Sequence, residues 1–353
     1  MRNVLVLSAA IALLYVGSQG HADVFNLGPG LMNLETVTVG DPGNAGELSG
    51  AGAGGYPAQP DRICGAVGYS YRIGKYEVTA AQYCDFLNRV ADTDTYGLYN
   101  ELMWSDAKGC KIQRTGSPGA YSYSVAADWA NRPVNYVSFW DACRFANWLD
   151  NNQPTGPQNA STTEDGAYYL NDYNGTDGRW IQRRPDWKWA VPSEDEWYKA
   201  AYYKGGTSNA YWDYPMQSNI PTMPSNDITS PDSGNNANFY QGGLTDPSHY
   251  RTNVGEFENS ESHYGTFDQG GNVWEWTEAL PYDGEGTRGI RGGTFEFGYE
   301  DLQASRRGGS MGPPSWGTSP LGFRVAAAVP EPSSLMILAG GVGMILGLRR
   351  RRA

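Results

Sequence analysis

Apolar residues recur at helical spacing in three places along the chain. Tyr83, Phe86, Leu87 and Val90 fall at i, i+3, i+4 and i+7, and Thr79 with Gln82 ahead of them forms a capping box. Ser138 with Asp141 opens a second such stretch, whose stripe is Ala142, Phe145, Ala146 and Leu149. Ser193 with Glu196 opens a third, running through Trp197, Ala200 and Ala201. These patterns predict three helices whose stripes are core. Residues 71–78, 187–191, 294–297 and 322–326 have strand composition. Residues 151–186 and 203–253 are rich in Gly, Asn, Asp, Ser and Pro and predict long loops, which in a compact domain carry function or wrap its surface. In the second loop and at its edge, Tyr202, Tyr203, Tyr211, Trp212 and Tyr214 are candidate ligand contacts, with packing of the loop onto the core as the alternative. The class expected is α+β, with few helices, short strands and long ordered loops.

The two ends change the picture of where this domain works. Met1 and Arg2 precede an apolar run from Val4 to Val16, and Gly20, His21 and Ala22 offer a small-residue cleavage site, so residues 1–22 read as a secretory signal. At the other end, Val329, Pro330, Glu331 and Pro332 precede an apolar stretch over residues 335–348 and then four arginines, Arg349 to Arg352. Fourteen residues span only ~21 Å as a helix against a hydrocarbon core of ~30 Å, a marginal anchor whose arginines hold its end in the cytoplasm. This arrangement resembles the PEP-CTERM sorting signal of bacteria with an exosortase system. That resemblance implies sorting machinery as a partner, passage through the inner membrane, and a final place at the cell surface, in the outer envelope or outside the cell. A plain single-span tail anchor is the alternative. The expected division is a signal peptide at 1–22, one domain over 23–328, and a sorting segment at 329–353.

Aromatic residues make up 13% of the chain, which argues against disorder. Without its two ends the chain has 21 basic and 37 acidic residues, a net charge of −16. Such a surface repels nucleic acid and anionic lipid, and tolerates a hard cation such as calcium.

Five blocks carry a family resemblance: IGKYEVT, AQYCDFLN, RPVNYVSFWDACRFANWL, VPSEDEWYKAAYY, and the C-terminal group GTFDQGGNVWEWTE, RGIRGGTF and LGFR. Together, over residues 34–326, they resemble the sulfatase-modifying-factor domain of the formylglycine-generating enzymes. The resemblance implies a variant of the C-type lectin fold, and an oxidase that binds copper through two thiols in the C-terminal stretch. Counting back from LGFR at the family's spacing places those thiols at Asp301 and Arg306, and all four cysteines lie at or before Cys143. Copper(I) is a soft ion that selects thiolates, so copper is not expected here.

Asp268 and Glu275 lie seven apart across a Gly270, Gly271 turn, a layout in which two carboxylates and loop carbonyls can converge on a cation. The resemblance implies a structural calcium there, with Asp268 and Glu275 as side-chain ligands and Gly271 and Val273 as backbone ligands. The alternative is that Glu275 pairs with an arginine such as Arg291. A second implied calcium site falls on Asn238, Phe239 and Asp246. In an oxidising compartment the four cysteines are disulfide candidates. The pairing expected is Cys64 with Cys110 and Cys84 with Cys143, the latter two lying on helices that the family packs in one core; buried free thiols at Cys84 and Cys143 are the alternative.

Two classes of function remain. The first is an exported binding or envelope module, lacking the copper thiols, with long loops that recognise polysaccharide or protein. The second is a formylglycine-generating oxidase or a diverged enzyme of that family. Iron-dependent sulfoxide synthesis needs a histidine cluster, and the chain has three scattered histidines.

Overall fold

The computed structural model describes residues 23–25, 31–57, 59–206, 210–282, 286–308 and 313–329. The secretory signal and nearly all of the sorting segment lie outside the described residues, and no described helix is long and apolar enough to cross a membrane.

All three predicted helices form, each on its capping box: α1 (Ala80–Val90), α3 (Phe139–Asp150) and α4 (Glu194–Tyr202), with a single extra turn, α2 (Leu102–Ser105), between the first two. At each of the three, the Ser or Thr hydroxyl accepts from the backbone N–H three residues on, while that residue's side chain accepts in return. The α1 stripe Tyr83, Phe86, Leu87 and Val90 is buried as read, whereas α3 is buried on every face. Phe86 packs edge-on to Phe145 at 5.2 Å and near Trp148 at 5.1 Å, and Phe145 meets Phe323 at 5.3 Å. Aromatic pairs of this kind contribute ~0.5–1.5 kcal/mol each beyond their buried area.

Strands are shorter than their composition suggests. The main sheet is antiparallel with the order Asp23–Phe25, Leu34–Val39, Tyr71–Gly74, Ala326–Ala328, Trp189–Ala190. Ile73 faces both Val37 and Ala326, so the beginning and end of the domain are joined through one sheet. A three-stranded sheet has Trp274–Trp276 at its centre, antiparallel to Ile290–Arg291 and parallel to Leu321–Gly322. Residues 294–297 form no strand: Thr294 and Phe295 are buried in a turn, with Phe295 N–H donating to the Asn272 carbonyl. Residues 323–325 interrupt the predicted last strand, because there the chain leaves the small sheet for the main one.

Two large core clusters result among the described residues. One gathers α1, α3 and the Trp274 and Trp276 rings; the other packs Trp197, Tyr198, Ala201 and Tyr202 of α4 onto Val37, Tyr71 and Ile73 of the sheet. Tyr203 and Tyr211 belong to the second cluster and Tyr214 to a third, small one, so these loop tyrosines pack the core.

The disulfides expected between Cys64 and Cys110 and between Cys84 and Cys143 are not made: all four cysteines are free and buried. Cys64 sits in the α4 cluster, where its sulfur takes an N–H from Arg291 at 3.4 Å, while Cys110, Cys84 and Cys143 sit in the other cluster. Burial pushes the Cys64 and Cys84 thiols up to about 11, so neither is an activated nucleophile.

Candidate functional site

The strand Trp274–Trp276 and its neighbour Ile290–Arg291 end beside a short turn of 3-10 helix, Tyr299–Leu302. Between them lies a cavity of about 230 Å³ lined by Trp274, Ile290, Phe297, Asp301, Arg306 and Gly308, with Tyr56 and Gln59 closing it from the N-terminal side. Asp301 and Arg306, where the family's spacing counted back from LGFR puts the copper thiols, are thus brought to one wall. Arg306 stacks its guanidinium over the Tyr56 ring at 3.5 Å and donates from Nε to the Glu300 carbonyl at 3.1 Å. Asp301 is 5% exposed, its carboxyl is raised by burial, and its Oδ1 is buried without a hydrogen-bond partner. The Tyr56 phenol is pushed up to about 12, first by burial and then by Asp301. Copper(I) does not fit this donor set: the cavity lining holds a carboxylate, a guanidinium and a phenol, and no thiol.

Sequence reasoning missed Tyr56 and Gln59, which lie some 245 residues before Asp301 and outside every quoted motif. Trp274 is 5% exposed and forms part of the cavity wall.

The GNVWEW site is organised differently from the sequence reading. Glu275 is fully buried and accepts from Arg324 Nε at 2.6 Å and Nη2 at 2.7 Å, and from Trp197 Nε1 at 2.7 Å. Its arginine partner is Arg324 of LGFR; Arg291 instead holds Glu194 of α4 at 2.7 Å. Glu194 gathers Arg62, Arg291 and Arg307, whose charges outweigh its burial and hold its carboxyl far below the usual range. Gly271 has φ +91°, and a Cβ there would lie 2.2 Å from the Asn238 carbonyl oxygen, so the motif's glycine is required by a close backbone approach.

Next to Asp268 lies an acid that the sequence did not single out. Glu77, from IGKYEVT, is 2% exposed, and neither carboxylate oxygen has a hydrogen-bond partner. Burial first and Asp268 second push it far above the usual carboxyl range. Asp268 accepts from the Gly255 N–H at 2.6 Å and is itself raised to about 7, chiefly by burial. Arg324 is hydrogen-bonded to Glu275, and its charge also acts on Glu77 and Asp268 without a direct contact. An orphaned buried carboxylate beside a second acid fits a hard cation, with Glu77 and Asp268 as oxygen donors and Glu275 serving Arg324. Among the described residues no three acidic, histidine or cysteine side chains converge on one point, so carbonyls such as those of Gly271 and Val273 would have to complete the shell.

The second expected calcium site fits less well. Asp246 is occupied by the N–H groups of Ser248 and His249 and by Arg132 at 2.9 Å, and the Phe239 carbonyl accepts from Thr245 and Asn226. Asn238 Oδ1 alone of this set is buried without a partner. Residues 308–312 spell GxSxG, but Pro313, Pro314 and turns follow, where a nucleophile elbow requires a helix.

The profile of the sulfatase-modifying factor enzyme 1-like domain matches residues 56–329, and that of the PEP-CTERM protein-sorting motif matches residues 328–352. No curated protein matches the chain in sequence. Among solved structures, it is similar to CarF (19% identity, TM-score 0.48, covering 85% of this chain and 100% of that one). It is also similar to variable protein 1 of Treponema denticola (17%, 0.48, 85% and 97%) and to PvdO of Pseudomonas aeruginosa (19%, 0.45, 84% and 95%). The C-terminal motif is one recognised by exosortase sorting machinery and directs export to the cell envelope or surface. The chain belongs to the sulfatase-modifying factor, or formylglycine-generating enzyme, family, with that family's α+β variant of the C-type lectin fold and a PEP-CTERM sorting motif behind it.

Proposed function

We propose that this protein is an exported binding module that keeps the family scaffold without its copper oxidase chemistry. The observation that carries the reading is the cavity wall: it is lined by Asp301 and Arg306, where the family's spacing puts the thiols, and the four cysteines are buried in the core. Neither side chain supplies the soft ligand that Cu(I) requires. Residues 1–22 act as the secretory signal, and the C-terminal segment holds the chain in the inner membrane before its final placement at the surface, in the outer envelope or outside the cell. The partner presented there is envelope polysaccharide or protein. Incubation of the folded protein with Cu(I), oxygen and a CxPxR peptide tests this: the peptide mass stays unchanged, and aldehyde formation sinks the reading.

Calcium is the proposed structural cofactor, bound beside Asp268. The orphaned Glu77 supports this, since a buried carboxylate without a partner is costly unless a cation neutralises it.

A further inference from the structure

We infer that the cavity holding Asp301 and Arg306 takes one neutral sugar ring, presented by a polysaccharide. The inference rests on the binding reading above and names its ligand class.

The walls are mostly aromatic and aliphatic: Trp274 and Ile290 form the buried side, and the half-exposed rings of Tyr56 (43%) and Phe297 (40%) stand at the mouth. Exposed rings grouped around a concavity mark an interaction site, and a flat apolar face is what they offer a ligand.

The polar groups sit together at one edge. Asp301 supplies an acceptor and Arg306 a donor, five residues apart on the same wall, and the Tyr56 hydroxyl, on the ring that the guanidinium covers, can do both. Neighbouring hydroxyls on a ring, each both donor and acceptor, match such a set. Charge disfavours singly charged ligands: an anion meets Asp301, a cation meets Arg306, and the acidic chain opposes a polyanion over longer range. A neutral polyol meets no like charge. The volume of about 230 Å³ lies below the ~300–1,000 Å³ of sites for drug-sized molecules, so a single ring fits.

The test is titration of the full chain with the methyl glycosides of glucose, galactose, mannose and N-acetylglucosamine, and with methyl glucuronide and a tryptophan-free CxPxR peptide, following tryptophan fluorescence. At least one neutral glycoside gives a saturable change. Tyr56→Ala and Asp301→Asn each weaken it about tenfold. Tyr56 is exposed and Asp301→Asn keeps the shape, so both variants melt as the parent does; a variant that does not is replaced by Phe297→Ala at the mouth. Absence of saturable binding by all four neutral glycosides overturns the inference, as does preference for the glucuronide, or binding that these variants leave unchanged. Oxidation of the peptide in the copper assay would instead sink the binding function itself, so the two failures are distinguishable.

Discussion

Glu275 and Arg324 form a two-pronged ion pair at 2.6 and 2.7 Å with both side chains buried, and it ties the GNVWEW strand to the LGFR segment that follows it by 49 residues. Arg324 also donates to the carbonyls of Gly74 and Phe267, so one guanidinium links both sheets and the loop bearing Asp268. Removal of the cation leaves a buried carboxylate without its partner. Arg324→Met is therefore expected to destabilise the fold by about 3–5 kcal/mol in urea unfolding, as broken buried pairs do. A loss under 1 kcal/mol would show that the pair is dispensable.

The acidic pocket beside it gives a metal prediction. Chelation with EDTA is expected to lower the melting temperature by at least a few degrees, and added calcium to restore it, since a cation bound only to the folded state stabilises it by mass action. Glu77→Gln removes the need for the cation, so its melting temperature is expected to be insensitive to EDTA. Chelation without effect on the parent protein would refute the calcium assignment.

A pH dependence follows from Asp141 in the α3 capping box. Burial raises its carboxyl to about 7, although it accepts the Ser138 N–H at 2.8 Å. A carboxyl raised on folding binds its proton more tightly in the native state, so its contribution is full below its unfolded value near 4. That contribution is lost as pH climbs to about 7. Asp141→Asn keeps an acceptor and removes the titration. Relative to the parent, the variant is expected to gain stability between pH 4 and pH 7.5, by roughly 1–3 kcal/mol, in parallel urea melts. A constant difference would contradict the assignment.

The cysteines offer a count. With all four buried and free, denatured but unreduced protein is expected to react with four equivalents of a thiol reagent, and folded protein with fewer than one. Two equivalents or none on denaturation would mean that disulfides form after all.

The three helices were legible because each carries its own start signal: the caps of Thr79, Ser138 and Ser193 are local chemistry, independent of the rest of the chain. Their contribution is checkable too, at about 1 kcal/mol for each Ser or Thr→Ala change. Strands were less legible, since Trp189–Ala190 and Leu321–Gly322 are only two residues long and owe their pairing to distant partners. For the site, position counting brought Asp301 and Arg306 together. Tyr56 and Gln59 join them only through the tertiary fold, and Glu77 becomes informative only once its carboxylate is seen to lack a partner. The Arg324 partner of Glu275 was equally hidden, because Arg291, directly across the strand pair, is drawn off by Glu194.

The function proposed for this family scaffold is binding without oxidation. Its most direct test is mass spectrometry of a CxPxR peptide after incubation with the folded protein, Cu(I) and oxygen. The peptide is expected to keep its cysteine mass, with a thiol-bearing formylglycine-generating enzyme converting it in parallel. Appearance of the aldehyde in the protein's own reaction would mean that the scaffold oxidises after all.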